Sequence, residues 1–446
     1  MRSKVKNFVK GIVTLVVVVA VFFVANRILI LKSEDGYDQM RSYYKQTPNT
    51  VDVVFVGSSK VYCQIDTGVI WDEYGISSFD LGGSEATTWN SYYFLKEALK
   101  TQKPKVIVYD ASILACEPDV EFQELRWVKT NNYGMKWNEN RIRQLRANTD
   151  GAEDFYECLI PFNTMHSRYN DLTENDFRDV NDDISYKGFD FRDAVTPLEE
   201  TGITSISGEI QISPKHQEYL LKMIELAKAE SVPFVVIVTP HVLTEESAKI
   251  YNYVERICQE NGVEFLNLNQ KYDEIGIDFA TDYAEELHLN FSGTMKLSKY
   301  LGNYVHDKFE LVDHRGDNKY ASWERDALIN RQNRACYNLN QVETYEEVSN
   351  YFSNDNYLVF DVNEKNEVTI YSGGKELLYV NGENETKATI DLDNKSINFY
   401  RDANKTRIKM DDDEIKIGWP WSTVVVYDMV LDRLIFEKRF YERVIY

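Results

Sequence analysis

Residues 8–31 restrict what this chain can be more than any other stretch. Arg2, Lys4, Lys6 and Lys10 open the sequence, no charge occurs from Gly11 to Asn26, Arg27 interrupts, and Ile28 to Leu31 close the run. Phe8 to Leu31 is 24 residues. At about 1.5 Å per helical residue that is roughly 36 Å, which spans a bilayer with Lys10 and Arg27 reaching the two interfaces. The alternative is a cleaved signal peptide, but the apolar region is long for one and no small-x-small site follows. Basic residues precede the run, while Glu34, Asp35 and Asp38 follow it. The positive-inside bias then leaves residues 1–10 as a cytoplasmic tail, 11–31 as a transmembrane anchor, and the body outside.

The remaining length of a 446-residue chain suggests roughly two to three domains. Hydrophobic residues make up 43% and charged ones 27%, a balance that supports packed cores. The net charge of −22 repels phosphate backbones and argues against a nucleic-acid partner. Five cysteines at 63, 116, 158, 258 and 336, with no CxxC or CxxH pair, exclude a disulfide framework and speak against a cysteine zinc site. No cofactor or metal is expected.

Residues 32–50 read as a stalk with a short polar helix over 36–48. From 51 apolar runs alternate with helical stretches. The runs are VDVVFV (51–56), ISSFDL (76–81), VIVY (106–109), FVVIV (234–238) and VEFLNL (263–268), with helices at 86–101, 216–230, 243–261 and 292–311. Such alternation predicts an α/β, three-layer, doubly wound parallel sheet over 51–311. A helical insertion, about 116–210, would overhang the carboxyl edge of the sheet, with 181–210 as loop. A helical connector (312–340) leads to residues 341–446, where helical periodicity is lost. Short strand-like runs alternate there with the polar turns NGEN, DLDN, DANK and DDDE, predicting an all-β domain built as a small sandwich.

The chemistry-bearing residues lie at the two ends of the α/β region. Gly57-Ser58-Ser59 follows the first strand directly. A serine that opens the next helix exposes its Oγ and presents its own N–H to the same pocket; the alternative is an ordinary N-cap. Near the last helix, DYAEELHLNFSG (282–293) carries one of only six histidines, His288, with Asp282 and Glu285 upstream. A carboxylate three residues before a histidine can reach its Nδ1 and leave Nε2 to take a proton from serine. Glu285 and Asp282 both remain candidates for that acid.

The segments DVVFVGSSKVYCQIDTGVIWDEYGI (52–76), LGGSEATTWNSYYFLKEALKTQKPKVIVYD (81–110), MHSRYNDL (165–172) and DYAEELHLNFSGTMKLSKYLGNYV (282–305) resemble the SGNH (GDSL-like) hydrolases. Within them they look like the membrane-anchored extracytoplasmic branch that includes the DltD-like teichoic-acid D-alanylation proteins and the alginate O-acetylation proteins. The resemblance implies that Ser59 is the nucleophile and that His288 is its base, with Glu285 at the usual Asp position. Ser59, Gly82 and Gly83 would supply oxyanion-hole amides. The family's Asn after the third strand is missing, since that position reads YDAS (109–112), and Ser84 or Asn90 is expected to substitute. His166 and Arg168 occupy a His-x-Arg-aromatic segment that lies near the site in similar proteins, though an Arg–carboxylate pair holding the insertion is the alternative.

Lys60 and His241 are further candidates for substrate contact, with a solvated Lys and a loop His as the plainer readings. Trp127 and Trp137 could stack on sugar rings. The run Asp411–Glu414 is weighed as a Ca²⁺ ligand set and read as a polar turn. The expected function is O-acyl transfer or ester hydrolysis on a cell-surface polysaccharide or teichoic-acid-type polymer, with a multi-span membrane-bound O-acyltransferase as partner. A catalytically silent scaffold subunit and an ordinary secreted esterase are the alternatives.

Overall fold

The computed structural model describes residues 2–33, 35–179, 185–203, 206–365, 367–381, 386–391, 396–402, 405–410, 413–418 and 422–440. Two compact units divide the chain, Met1–Ala327 and Leu328–Tyr446.

The first unit opens with helix α1, Arg2–Leu29, whose apolar stretch Val5–Leu29 is long and apolar enough to cross a membrane. The doubly wound sheet follows, with strands β1 (Val53–Gly57), β2 (Ser78–Gly82), β3 (Val106–Asp110), β4 (Phe234–Val238) and β5 (Glu264–Asn267), in the order β2-β1-β3-β4-β5. All pairings are parallel. Side-chain alternation divides the strands between two cores. Val54, Val56, Ile107, Tyr109, Val236 and Val238 pack into one. Val53, Phe55, Val106, Val108, Val235 and Ile237 pack into the other. Burial on both faces explains why these strands read as unbroken apolar runs. The order turns back between β1 and β3, so a crevice opens beyond their carboxyl ends.

The stalk is corrected. Helix α2, Tyr37–Lys45, buries Tyr37, Met40 and Tyr43, and Tyr43 meets Phe79 of β2 edge-on. Its aromatic residues are spaced for one helical face, and that face belongs to the domain core. The insertion contributes the helices Leu125–Tyr133, Glu139–Asn148 and Gly151–Leu159. Within the segment read as loop, residues 181–184 and 204–205 lie outside the described residues.

His216 carries a consequence for stability. It is fully buried in the helix Pro214–Ala229, bonds Thr88 Oγ1 through Nδ1 and the Glu117 carbonyl through Nε2, and lies against Trp89. Burial pulls its pKa from 6.5 to about 4. The unfolded chain then binds the proton that the folded one refuses, so stability is present above pH 6.5 and is lost as pH falls toward 4. By pH 5 the loss is about 2 kcal/mol. Urea unfolding followed by Trp fluorescence should show this acid-side loss in the parent protein and a smaller one in His216→Gln.

In the second unit, strands β8 (Tyr357–Val362), β9 (Val368–Ser372), β10 (Lys375–Val380), β15 (Ser422–Asp428) and β16 (Arg433–Phe440) form an antiparallel sheet ordered β10-β9-β8-β15-β16. Strands β11 (Thr386–Asp391), β12 (Ser396–Asp402), β13 (Lys405–Met410) and β14 (Asp413–Gly418) form a second, meandering sheet. Leu358, Phe360 and Val425 of one share a core with Ile397, Phe399, Ile408 and Ile417 of the other, which makes this unit a β-sandwich. Strand β14 departs from the sequence reading: it begins at Asp413, inside the run DDDE that reads as a turn. Of that run, Asp411 and Asp412 lie outside the described residues, as do parts of the turns NGEN, DLDN and DANK.

Candidate active site

Gly57 ends β1 and Gly82 ends β2, and the two are register partners. A Cβ on Gly82 would sit 2.8 Å from the Ser58 carbonyl oxygen, and one on Gly57 would sit 2.8 Å from Val61. Only hydrogen fits at either position. Ser58 is buried in the N-cap position of α3, Ser59–Gln64, and its carbonyl accepts the Val61 amide at 3.1 Å. Ser59, one residue further on, is partly exposed at the crevice.

The histidine arrives on a hairpin, β6 (Tyr283–Glu285) and β7 (His288–Leu289), in which Glu285 and His288 are register partners. Ser59 Oγ lies 2.8 Å from His288 Nε2. His288 Nδ1 bonds Glu285 Oε1, and the other Glu285 oxygen accepts the Leu287 amide at 2.8 Å. Burial would raise the Glu285 carboxyl, but hydrogen bonds from His288 and Leu287, with the charges of His288 and Lys60, hold it below the ordinary range. An ionised Glu285 fixes the His288 tautomer with Nδ1 protonated and Nε2 ready to accept.

Several bonds hold this chain of groups in place. Gln64 Nε2 donates to the Leu287 carbonyl at 2.8 Å, Thr294 Oγ1 to the Cys63 carbonyl, and the Asp66 amide to Ser298 Oγ. Asn290 caps the helix Phe291–Phe309 and donates to the Thr281 carbonyl at 2.8 Å. Gln64 carries no signal in the sequence; its task depends on a hairpin more than two hundred residues away.

Asp282 is not the acid behind His288. It is wholly buried, pairs with Lys296 Nζ at 2.6 Å and accepts the Asp278 amide at 2.8 Å. Asn90 and Ser84 are corrected too. Asn90 is locked into an amide chain, donating to Gln123 and accepting from Asn148. The Ser84 amide is taken by the Asp35 carbonyl at 2.7 Å and its hydroxyl by Tyr62. Among the described residues, no hydrogen bond outside the sheet ladders and helices occupies the amides of Ser59, Gly82 or Gly83.

His166 and Arg168 belong elsewhere. Arg168 donates to the Leu29 carbonyl at the end of α1 and to Asp176, and His166 bonds the Phe162 carbonyl. His241 is buried with both ring nitrogens used, Nδ1 by the Thr239 carbonyl at 2.9 Å and Nε2 by Tyr251 Oη at 3.1 Å. Burial first, and then the charge of Lys60, push its pKa well down, so it stays neutral and structural. At the position of the missing Asn, Asp110 is buried and accepts from the Ser112 and Thr239 amides.

Lys60 departs most from its sequence reading. It is 2% exposed, and its Nζ has no hydrogen-bond partner among the described residues. Burial lowers its pKa, opposed by the nearby Cys116 sulfur and the acidic groups of Asp110, Glu285 and Glu85. No group of three or more His, Cys, Asp or Glu suited to a metal occurs among the described residues.

Among solved structures, a proposed acylhydrolase from Bacteroides fragilis is similar at TM-score 0.30 and 11% identity, over 60% of this chain and 94% of that one. A gut microbial diltiazem-metabolizing enzyme is similar at TM-score 0.18 and 11% identity, over 80% of this chain and 58% of that one. No protein-family model and no curated protein matches the chain. Similarities this low fix nothing about activity, and the site stands on its own geometry.

Proposed function

We propose that this chain is a membrane-anchored, extracytoplasmic serine acyltransferase or esterase of the SGNH type, acting on O-acyl groups of a cell-surface glycan or teichoic-acid-type polymer. The observation that carries the chemistry is the continuous Ser59–His288–Glu285 hydrogen-bonded chain at the carboxyl edge of a parallel sheet. Ser59 Oγ attacks the acyl carbonyl while its proton passes to His288 Nε2. The resulting oxyanion faces the amides of Ser59 and Gly82 or Gly83. Collapse expels the alcohol, which takes the proton from His288, and leaves an acyl-Ser59 ester. A glycan hydroxyl, or water, then attacks that ester with His288 again as base. A multi-span O-acyltransferase that brings acyl groups across the membrane is the partner this reading requires.

A fluorophosphonate probe should label Ser59 in the parent protein and not in Ser59→Ala. An unlabelled parent would favour the silent scaffold reading, which the absent Asn and the tied-up Asp110 support. Glu285→Gln should keep the Ser59–His288 contact but lower turnover by about 10- to 100-fold. That is less than loss of either partner, because half-exposed Glu285 shares its role with water. The anchor reading has its own check. Protease added to spheroplasts should digest the chain beyond about residue 40, and full protection would put the body inside.

A further inference from the structure

A cavity outside the Ser59–His288–Glu285 chain lies at the C-terminal end of α1. Its volume is ≈ 350 Å³. Phe23 and Arg27 of α1, with Ile30 just beyond its end, form one wall, and Arg41 of α2 a second. Tyr133, Lys136, Trp137 and Arg141 of the insertion complete it, and no carboxylate lines it. In a chain of net charge −22, this concentration of cations runs against the overall balance.

Asp179 is the acid nearby, 3.0 Å from Arg27 and also bonded to Arg41. Arg141 is 4% exposed. Its guanidinium is held by Asn132 Oδ1 and the Met135 carbonyl and stacks over Trp137 at 4.2 Å. Burial draws its pKa down to about 10. Two buried polar atoms on the lining, Arg41 Nε and Tyr133 Oη, have no partner among the described residues, and Tyr133 is itself 4% exposed. Beside these groups Phe23 and Trp137 meet edge-on and are 53% and 51% exposed, continuing the apolar surface of α1.

We propose that this cavity binds the phosphate headgroup of an anionic membrane phospholipid, with the acyl chains lying along α1. Arg27 and Arg41 share the single carboxylate of Asp179, and Lys136 and Arg141 have no carboxylate partner among the described residues, so the cavity keeps cationic character that, with the unsatisfied phenol, matches phosphate oxygens. Aromatic rings at the end of an apolar span are what a headgroup region meets. The inference rests on reading α1 as a membrane anchor, and goes beyond the serine chemistry.

The test uses the full chain in phosphatidylcholine vesicles with and without phosphatidylglycerol, with retained lipid counted by native mass spectrometry. The parent should retain phosphatidylglycerol over phosphatidylcholine. Arg41→Gln/Lys136→Gln should weaken that preference roughly thirtyfold, about fivefold for each cation near an anionic surface. Single Lys136→Gln, at an exposed position, should weaken it about fivefold and covers the case in which the double variant misfolds. Probe labelling of Ser59 should stay unchanged in both. Equal retention of the two lipids, or displacement of phosphatidylglycerol by soluble glycerol phosphate, would overturn the inference while the anchor stands. Failure of the chain to float with vesicles at all would overturn both.

Discussion

Ser59→Ala and His288→Ala should each lower turnover of an activated ester by roughly a thousandfold or more, and the double variant should be hardly worse than either. The reason is geometric. One proton is shared across the 2.8 Å contact between Ser59 Oγ and His288 Nε2, so removing either group abolishes the same step. Ser58→Ala, one residue earlier and buried in the cap position, should leave turnover within a few-fold of the parent. Additive losses in the double variant, or a larger loss from Ser58→Ala, would show that the pair does not act as a unit.

Lys60→Met should move stability and activity in opposite directions. An ammonium that is 2% exposed and has no hydrogen-bond partner among the described residues is costly to bury. Replacing it with a thioether of similar length should stabilise the fold by about 1–3 kcal/mol, which for a unit of this size raises Tm by a few degrees. The same replacement should lower kcat/KM by about 100-fold, because a desolvated cation beside the reacting serine is a strong partner for developing or fixed negative charge. The linkage gives a second readout. Burial depresses the Lys60 pKa from 10.5, so the unfolded chain binds the extra proton and the parent gains stability as pH rises toward that value. Lys60→Met should lose that part of the alkaline rise. A variant both less stable and less active would mean that Lys60 is a packing residue with an undescribed partner.

Much of the fold is legible because parallel strands buried on both faces are continuous apolar runs, and VDVVFV and FVVIV cannot be placed anywhere else. Residues around Ser59 and His288 stand out through turn chemistry and spacing. What spacing cannot report is which way a side chain turns and what it meets. Asp282 precedes His288 as plausibly as Glu285 does, yet it is claimed by Lys296, one helix onward. Lys60 looks like any surface lysine in α3, but the fold leaves it only 2% exposed. Asn90 has the right chemistry for an oxyanion donor and is consumed by neighbours from an insertion whose packing has no periodic signature. The polarity of α2 likewise hides an aromatic face, because its charged residues are interleaved with the few side chains that decide where it docks.

The docking of α2 also sets how far this machinery can travel. Only Ile30 to Gly36 separate α1 from α2, and Ile30 is itself buried. Seven residues extend at most about 25 Å, and a partly packed linker reaches less. With α1 in a bilayer, the serine cannot sweep the depth of a thick envelope like a bead on a string. On the proposed reading it would work as a fixture of the membrane surface, meeting acyl donors by lateral diffusion in two dimensions. On that reading, a surface polymer would then have to be served near its membrane-proximal end, or while it is still being extended there.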